Sequence, residues 1–205
     1  MQPPLEKDLF ALLEKTGNLR LFRKGSIILQ EGDPSTHFYL IHSGRLRAFL
    51  SDEDGKEIVL NIMGPGEYFG EISLIDQEGR SASVMAIEDC SLSVISREEF
   101  HASLAANPEF AHALLRGLTR RLRSATRKIG SLALLDVYGR VAGTLLQFAK
   151  AHDGRLMISE RLTHQEIANM VGASREMVTR IMHDLAEDGY ISIDENRRIL
   201  INEQI

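Results

Sequence analysis

The segment Gly70–Val84, GEISLIDQEGRSASV, combines residue types that suit binding of a small phosphorylated molecule. Arg80 can donate paired hydrogen bonds to two phosphate oxygens, and Ser81 adds a hydroxyl beside it. A short helix beginning near Glu71 would offer unpaired backbone N–H groups to the same anion. A carboxylate repels phosphate, so Glu71 fits this site only if it accepts a hydrogen bond from a ligand hydroxyl. A solvated turn would explain the isolated segment equally well, and the interpretation depends on the rest of the chain.

A second group of functional residue types lies at residues 162–191, LTHQEIANMVGASREMVTRIMHDLAEDGYI. Thr163, with Glu166 three residues later, predicts a capping box at the start of a helix. Gly172 suits a turn that needs a positive φ, and Ser174 predicts the N-cap of a second helix. Two helices joined in this way form a helix-turn-helix, whose second helix enters the major groove of DNA.

The second predicted helix carries charged residues that could contact bases: Arg175, Glu176 and Arg180 occupy its first two turns. Arginine suits bidentate contact with guanine, and glutamate can accept from the cytosine amino group. The residues predicted to contact DNA phosphates are Thr163, Gln165, Ser174 and Thr179. The apolar residues predicted to face inward are Ile167, Met170 and Val171 on the first helix and Met177, Val178 and Ile181 on the second. A solvated helix face is the alternative for the three charged residues, but the helix-turn-helix pattern favours base contacts.

The first half of the chain has the pattern of a β domain, which would position the phosphate-binding segment. Glycines separate short segments rich in strand-forming residues, such as HFYLIHS, EIVLNIM and CSLSVIS. Close spacing of this kind predicts a β-sandwich or barrel. The sequence DEDG at 52–55 predicts a hairpin turn. Short helices are predicted to flank this β unit at about 5–16 and from Ser96.

A single long helix is predicted over residues 108–134, where Pro108 suits a first helical turn and no proline follows. Its apolar residues recur at alternating steps of four and three, which is a heptad pattern. The residues of this seam that we predict to pair with a second copy of the chain are Leu115, Leu118, Leu122, Ala125, Ile129 and Leu132. Packing of the helix onto its own domain is the alternative. We favour a homodimer, because a narrow apolar stripe on a helix of roughly 40 Å usually pairs with a copy of itself.

Composition and charge restrict the class of protein. The net charge is −5, yet residues 1–108 carry 10 Lys and Arg against 17 Asp and Glu, whereas residues 109–205 carry 14 against 12. A nucleic-acid surface is therefore expected in the second half. Cys90 is the one cysteine, which excludes an internal disulfide and an iron–sulfur cluster. Apolar runs fall short of the roughly 20 residues of a membrane span, and the N-terminus lacks a signal-peptide pattern, so we expect a cytoplasmic protein without a membrane partner.

Together these motifs resemble the Crp–Fnr superfamily of transcription regulators over essentially all of residues 15–200. The resemblance rests on KGSIILQEGDPSTHFYLIHSG, the Gly70–Val84 segment, RRLRSATRKIGSLALLDVYGR and QEIANMVGASREMVTRI. It implies an α+β fold with an N-terminal β jelly-roll of the cyclic-nucleotide-binding type, a long dimerisation helix and a C-terminal winged helix-turn-helix. The implied domains are a sensor at residues 1–107, the dimerisation helix at 108–135 and the DNA-binding domain at 136–205.

The resemblance also implies which residues hold an effector, with cyclic AMP favoured. By position, Glu71 would accept from the ribose hydroxyl, while Arg80 and Ser81 would hold the cyclic phosphate. The other implied ligand residues are Gly70, Ile72 and Ser73 in the same segment, Leu60 and Met63 beside the base, and Thr126 on the long helix. Members that respond to cyclic AMP carry two adjacent hydroxyl residues where this chain has Ala125 and Thr126. Because Ala125 lacks a hydroxyl, we expect weaker discrimination between purine bases.

The implied mechanism is a population shift controlled by the ligand. Ligand contact near Thr126 would extend or re-register the long helix through Asp136, the predicted hinge, and so reset the spacing of the two recognition helices. The implied partners are double-stranded DNA with palindromic TGTGA-type half-sites, a second copy of the chain, and RNA polymerase. The stretch AKAHDGRLMISERLT is shorter than the family region that contacts the polymerase, so activation through that region is not assumed.

Other classes of function fit the sequence less well. His37 and His42, five residues apart in a strand-like segment, are expected to be ordinary surface or core residues rather than haem ligands. We expect no metal, haem or iron–sulfur cofactor and no enzymatic activity, because a cupin-type metal enzyme would need clustered histidines and carboxylates. Two alternatives stay open. One is a DNA-binding regulator that responds to another ligand, such as cyclic di-GMP, or to none, and the other is a nucleotide-binding scaffold that acts on a protein partner without DNA.

Overall fold

The chain is divided into two compact units. A computed structural model describes residue 13 and residues 17–152, 155–160, 162–195 and 198–202. One unit comprises the described part of residues 1–54 together with residues 59–125, and the other comprises residues 55–58 and the described part of residues 126–205. The predicted domain boundaries after residues 107 and 135 stay a prediction.

The first half of the chain forms two four-stranded sheets. Its strands are β1 (Asn18–Phe22), β2 (Ile27–Leu29), β3 (His37–Ser43), β4 (Leu46–Ser51), β5 (Glu57–Met63), β6 (Tyr68–Phe69), β7 (Ser83–Ala86) and β8 (Cys90–Ser96). One sheet has the order β1-β8-β3-β6, and the other has the order β2-β7-β4-β5. Both sheets contribute to an apolar core that includes Ile41, Leu46, Phe69, Val84 and Leu92. The β fold predicted for this half is confirmed.

The sequence of β3, HFYLIHS, is almost continuously apolar because this strand is covered on both faces. Phe38 and Leu40 belong to a cluster with Phe100, a residue of the helix that follows β8. Tyr39 and Ile41 point the other way, into the core between the sheets. A strand with one solvent face would show a strict alternation of apolar and polar residues instead.

The helices of this half are α1 (Ile72–Ile75), α2 (Arg97–Ala106) and α3 (Pro108–Leu134). Ser96 caps α2 through a capping box, in which Glu99 N donates to Ser96 Oγ at 3.2 Å and Ser96 N donates to Glu99 Oε2 at 2.8 Å. The helix predicted from Ser96 and the long helix predicted over 108–134 are therefore confirmed. The helix predicted at about 5–16 lies outside the described residues except at Leu13, which is helical and buried.

Helix α3 has two apolar faces. One face is buried in the first unit and consists of Phe110, Ala113, Leu114 and Gly117. The predicted seam lies on another face, where the exposed fractions are 60 % for Leu115, 68 % for Leu122, 67 % for Ile129 and 39 % for Leu132. Leu118 is half-buried and Ala125 is exposed. The helix thus packs on its own domain and also presents a separate, exposed apolar stripe.

The second unit contains a helix-turn-helix with a β wing. Its elements are α4 (Val137–Phe148), β9 (Lys150–His152), β10 (Arg155–Ile158), α5 (His164–Val171), α6 (Arg175–Glu187), β11 (Ile191–Ile193) and β12 (Ile199–Ile201). The strands form a sheet of order β11-β12-β10-β9. Its core joins residues from the three helices and the sheet, including Val141, Ile167, Val178, Ile191 and Ile199. This arrangement confirms the predicted winged helix-turn-helix.

Within the part of the chain that the structure describes, every helix is too short or too polar to cross a lipid bilayer.

Candidate functional site

Arg80 lies inside the first unit, where three hydrogen bonds hold its guanidinium group. We call residues 70–81 the cradle, and Arg80 is only 4 % exposed within it. Nη1 donates to the carbonyl oxygen of Gly70 and to Oγ of Ser73, each at 3.0 Å, and Nη2 donates to the carbonyl oxygen of His37 at 2.8 Å. Burial lowers the pKa of Arg80 from its usual value, yet an arginine keeps its charge at neutral pH. The cradle therefore contains a buried, fixed positive charge.

Gly70 allows the backbone to approach this guanidinium closely. Its φ is +86°, and a Cβ at this position would lie 3.0 Å from Arg80 Nη1, 3.0 Å from the His37 carbonyl oxygen and 3.3 Å from the Tyr39 ring. Glycine adopts a positive φ without steric cost and has no Cβ to occupy this space. The glycine is thus required by the packing around Arg80.

The backbone at Arg80 is fixed by a turn that is distant in sequence. Arg80 N donates to the Asp33 carbonyl oxygen at 3.0 Å, and the Arg80 carbonyl oxygen accepts from Gly32 N at 2.9 Å. A Cβ at Gly79 would lie 2.8 Å from the Gly32 carbonyl oxygen, so the two segments are in close contact. The turn between β2 and β3 therefore determines where the Arg80 backbone lies.

Glu71 is fully buried and is paired with an arginine that the sequence analysis did not single out. Its Oε1 accepts from Arg121 Nη1 at 2.6 Å. Arg121 also donates through Nη2 to the Tyr68 carbonyl oxygen, and its guanidinium carbon lies 5.2 Å from the centroid of the Tyr68 ring. Because Arg121 belongs to α3, this ion pair connects the cradle to the long helix.

Burial and charge act in opposite directions on Glu71. Burial raises the pKa of its carboxyl group above the usual value, while the nearby Arg121 and Arg80 oppose the rise. The direction of the shift means that burial outweighs the two arginines. Burial also raises the pKa of the neighbouring Tyr68 to about 12, so that its phenol is neutral at physiological pH.

Two polar atoms of the cradle are buried without a hydrogen-bond partner among the described residues: Glu71 Oε2 and Arg80 Nε. A buried donor or acceptor left unsatisfied costs about 1–3 kcal/mol, and more if it is charged. One of these atoms is an acceptor and the other is a donor. They fit a ligand that carries both a hydroxyl group and an anionic oxygen.

The remaining predicted ligand residues lie in different surroundings. Ile72 is half-buried on α1, and Ser81 is exposed at the end of the cradle. On β5, Leu60 is 41 % exposed, whereas Met63 is 2 % exposed and belongs to the core between the two sheets. Thr126 is exposed on α3. The structure thus brings Gly70, Glu71, Ser73 and Arg80 together, and the assignment of all nine residues to a ligand stays a prediction.

Arg121 is the functional candidate that the sequence analysis missed, although a signal for it exists. It follows Phe110, Leu114 and Gly117 at helical spacing and so continues the buried face of α3. A cation at the end of a buried helical face needs an anionic partner, because a buried charge is stable only when it is paired. The sequence of α3 therefore contains a second pattern besides the exposed seam, and Arg121 is the charged residue on that second, buried face.

The helix-turn-helix has the local structure that its sequence predicts. Thr163 Oγ1 accepts from Glu166 N at 3.2 Å, and Thr163 N donates to Glu166 Oε2 at 2.7 Å, which completes the capping box. Gly172 ends α5 with a left-handed φ of 67°. Ser174 Oγ accepts from Met177 N at 3.2 Å and caps α6. The backbone that presents α6 is therefore fixed by short-range contacts.

One prediction for the apolar face of α6 is wrong. The sequence predicts that Met177 faces inward, but it is 39 % exposed. The buried residues of α6 are Val178, Ile181, Met182 and Leu185. Their spacing of three, one and three residues places them on one helical face, and Met177 falls at its edge because a helix turns about 100° per residue.

The exposed face of α6 carries the predicted DNA contacts. Arg175, Glu176, Thr179 and Arg180 are all exposed. Thr179 Oγ1 lies 2.9 Å from Nδ1 of His164, the first residue of α5, so the two helices are also connected on this side. The side chains of Arg175 and Arg180 are therefore available to a groove, as a base contact requires.

The other residues predicted to contact phosphate lie at the starts of the two helices. Thr163 and Ser174 are the exposed N-caps of α5 and α6, and Gln165 is exposed in the first turn of α5, where its Nε2 donates to Asn169 Oδ1 at 2.7 Å. Backbone N–H groups at such helix starts suit phosphate oxygens. Their contact with DNA stays a prediction.

Arg140 joins the segments around the predicted hinge within the second unit. Asp136 caps α4 by accepting from Gly139 N at 2.8 Å. Arg140 Nη1 donates to the Leu135 carbonyl oxygen at 2.8 Å, and Arg140 Nε donates to the Val171 carbonyl oxygen at 2.9 Å. One side chain therefore connects the end of α3 to the turn of the helix-turn-helix.

One cluster of potential metal ligands occurs among the described residues, on the exposed side of α6: His183, Asp184 and Glu187. His183 Nδ1 lies 3.6 Å from Glu187 Oε2, a one-turn spacing common on solvated helices. This arrangement gives no reason to assign a metal.

Family models match both halves of the chain. The model described as the cyclic nucleotide-binding domain matches residues 19–107, and the model described as the Crp-like helix-turn-helix domain matches residues 139–204. The first match contains the whole cradle, and the second contains α5, α6 and the wing.

Proteins of known function are similar to this chain over most of its length. A CRP-like cAMP-activated global transcriptional regulator of Mycobacterium tuberculosis is 37% identical over 186 residues, which is 89% of this chain and 83% of the relative. The cyclic AMP receptor protein of Thermus thermophilus is 39% identical over 174 residues, which is 85% of this chain and 79% of the relative.

A solved structure supports the same relationship. The c-di-GMP responsive global regulator CLP of Xanthomonas campestris has a TM-score of 0.85 and is 27% identical, over 96% of this chain and 100% of that chain. With the matched domains in this order and relatives at this identity, the chain belongs to the Crp–Fnr family of DNA-binding transcription regulators.

Proposed function

We propose that the protein is a homodimeric transcription regulator that binds palindromic TGTGA-type DNA sites under the control of a cyclic nucleotide, with cyclic AMP favoured. The observation that carries this proposal is the pair of buried cradle atoms that lack a partner among the described residues, Glu71 Oε2 and Arg80 Nε. A cyclic nucleotide offers a ribose hydroxyl to the carboxylate and phosphate oxygens to the guanidinium. Both atoms are satisfied by one ligand.

Cyclic AMP is favoured over other nucleotides because the Mycobacterium relative is named as cAMP-activated and the Thermus relative as a cyclic AMP receptor. Titration calorimetry with cyclic AMP, cyclic GMP and cyclic di-GMP tests the effector. We expect cyclic AMP to bind in the micromolar range. Failure of all three nucleotides to bind would refute the sensor function but leave the DNA-binding function standing.

Cyclic di-GMP is the second candidate effector. It is supported by the similarity to the Xanthomonas regulator, which is described as c-di-GMP responsive. The three-nucleotide titration separates the two candidates directly.

Ala125 stands where cyclic-AMP-responsive members carry a hydroxyl, so we expect a smaller preference for cyclic AMP over cyclic GMP than a site with both hydroxyls would give.

The exposed seam of α3 supports the homodimer. Leu122 and Ile129 are 68 % and 67 % exposed on one face of a 27-residue helix, and two such stripes can cover each other about a two-fold axis. Sedimentation of Leu122→Asp should show the mass of a monomer. Leu21→Asp, which replaces an 82 % exposed leucine of β1, is the matched control and should sediment like the wild type. Equal behaviour of the two variants would refute the seam as the dimer interface.

DNA contact is proposed for the N-terminal turns of α6, with Arg175, Glu176 and Arg180 contacting bases. A two-fold dimer matches two half-sites about one helical turn apart. A gel shift with a palindromic TGTGA duplex tests this, and a duplex with scrambled half-sites is the control. Binding of a protein partner with no preference for the palindrome would favour the scaffold alternative.

RNA polymerase is the proposed partner on DNA, and co-sedimentation on a promoter fragment would test it.

A further inference from the structure

The hydrogen bonds of Arg80 determine which edge of its guanidinium group can meet a ligand. An arginine has five N–H donors, two on each terminal nitrogen and one on Nε. Both donors of Nη1 are used, one by the Gly70 carbonyl oxygen and one by Ser73 Oγ. One donor of Nη2 is used by the His37 carbonyl oxygen. The Nε–H and one N–H of Nη2 have no acceptor among the described residues.

Nε and Nη2 lie along one edge of the guanidinium, and these are the nitrogens that still have a donor without an acceptor among the described residues. Nη1, by contrast, is held by two acceptors. An arginine edge with two nitrogens is the fork that binds two phosphate oxygens. The Nε–Nη2 edge is therefore the fork that can meet a phosphate.

Ser73 is the only side chain among these three acceptors, because Gly70 and His37 accept through their backbone carbonyls. It is 2 % exposed and lies on α1, two residues after Glu71. The two carbonyl acceptors exist whatever residue occupies those positions. The orientation of the Arg80 fork therefore depends on the hydroxyl group of one serine more than on any other side chain.

We propose that Ser73 is a positioning residue, which holds Nη1 of Arg80 so that the Nε–Nη2 edge is presented to the phosphate of the nucleotide. This rests on the proposed function, since the phosphate belongs to the proposed effector. It also changes the role implied for Ser73 by sequence, from a direct ligand contact to an action through Arg80. The independent observation is that the buried Nε has no hydrogen-bond partner among the described residues, so this edge can accommodate a further acceptor.

A spectroscopic test needs no ligand. In the full-length wild type, the three hydrogen bonds should hinder rotation of the guanidinium, so that the Nη protons of Arg80 give separate signals in side-chain ¹⁵N–¹H spectra. In Ser73→Ala these signals should merge or broaden through faster rotation. Ser83→Ala is the matched control, because Ser83 is also buried in this unit, but its hydroxyl accepts from Glu31 N at 3.0 Å and is not one of the three acceptors of the Arg80 side chain. Identical Arg80 signals in Ser73→Ala and the wild type would overturn the inference.

A binding test examines the fork itself. We expect Ser73→Ala to bind cyclic AMP about tenfold more weakly than the wild type, as loss of a hydrogen bond to a charged group predicts. The Rp and Sp phosphorothioate analogues of cyclic AMP replace one or the other exocyclic phosphate oxygen by sulfur. A fixed fork should distinguish them, and the ratio of their affinities should move towards one in Ser73→Ala but not in Ser83→Ala.

The outcomes separate this inference from the proposed function. If the wild type binds cyclic AMP and Ser73→Ala keeps both the affinity and the analogue ratio of Ser83→Ala, the inference is wrong while the sensor function stands. If the wild type binds none of the nucleotides, the sensor function and the phosphate role of Arg80 are both wrong. Merged Arg80 signals together with a lost analogue ratio, confined to Ser73→Ala, would support the inference.

Discussion

The cradle and the helix α6, the proposed effector site and the proposed DNA contact, represent two opposite ways to build a binding site. In the cradle, Glu71 and Arg80 are 0 % and 4 % exposed, and their partners come from β3, α1 and α3. On α6, Arg175 and Arg180 are exposed, and the helix is fixed by its own cap and its neighbour α5. A small charged ligand has to be enclosed by fixed groups, whereas a duplex has to be met by groups that project.

This difference has an energetic consequence. Charges removed from water are stable only with accurate partners, so changes in the cradle should affect folding and ligand binding together. Charges on an exposed helix face contribute little to folding, so changes there should affect DNA binding alone. The contrast can be tested by variants of each region, taken in order of decreasing expected effect.

The largest effect is expected for Arg121→Met. This change leaves the buried Glu71 carboxylate without its cation, which should reduce the free energy of unfolding by about 3–5 kcal/mol. Chemical denaturation monitored by circular dichroism measures the loss. The double variant Glu71→Gln/Arg121→Met is the control and should recover part of the stability, because no buried carboxylate is left without its arginine. If Arg121→Met is as stable as the wild type, the buried Glu71–Arg121 pair contributes no more to the free energy of unfolding than a surface ion pair does.

A smaller effect of a different kind is expected for Arg180→Ala. The affinity for the palindromic duplex should fall by about 1–3 kcal/mol, and discrimination at one base pair should weaken, because the proposed bidentate base contact of Arg180 is lost. Fluorescence anisotropy at fixed salt measures both quantities. Thr179→Ala should instead weaken binding to all sequences alike, since phosphate contacts carry no sequence information. The free energy of unfolding of Arg180→Ala should stay within about 0.5 kcal/mol of the wild type, and a larger loss would contradict the contrast between the two regions.

Removal of a helix cap should cost about the same stability in both units, which separates the effect of the buried charges from that of local structure. Thr163→Ala and Ser96→Ala each remove the side chain that starts a capping box, and each should destabilise its own unit by about 1 kcal/mol. Scanning calorimetry with hydrogen exchange assigns each loss to a unit. If the two losses are equal, the larger destabilisation expected for cradle variants is due to their buried charges. A much larger loss for Ser96→Ala would mean instead that the first unit is generally more sensitive to substitution.

The smallest effect concerns pH. Burial raises the pKa of Glu71 above its ordinary value, so the folded state keeps this proton at a higher pH than the unfolded state does. The associated stability is complete below the unfolded pKa, near 4.5, and is lost as the pH rises through the folded pKa. Glu71→Gln should lack this decline in thermal-unfolding profiles. Asp89→Asn is the opposite control: a hydrogen bond from Lys24 N and another from Arg23 lower the pKa of Asp89, and its contribution is lost as the pH falls.

The two regions also differ in how much of them could be predicted from sequence. The helix-turn-helix was predicted nearly completely, because Thr163, Gly172 and Ser174 act on neighbours within a few residues. The burial predicted for Met177 is wrong, because this residue lies at the edge of the apolar face and the 3.6-residue period defines that edge only to within one position. Local signals in the chain thus correspond to local structure.

The cradle was predicted only in part, because its geometry depends on residues far apart in the chain. The types of Glu71 and Arg80 indicated a ligand, but nothing near them in sequence indicates that His37 accepts from Arg80 or that Arg121 pairs with Glu71. Those contacts arise when β3 and α3 pack against the segment. The same packing accounts for two sequence features: β3 is apolar on both faces, and α3 has a buried apolar face besides its heptad seam. A heptad pattern alone describes only the exposed seam of α3.

The central claim is that a nucleotide in the cradle controls the DNA-contacting helix, and the most direct test measures this coupling in both directions. The affinity of the wild type for a palindromic TGTGA duplex is measured by anisotropy with and without saturating cyclic AMP, and its affinity for cyclic AMP is measured by calorimetry with and without the duplex. We expect cyclic AMP to tighten DNA binding by a factor of about 5–150, and the duplex to tighten cyclic AMP binding by the same factor. Tight binding of cyclic AMP that leaves the DNA affinity unchanged would contradict the account.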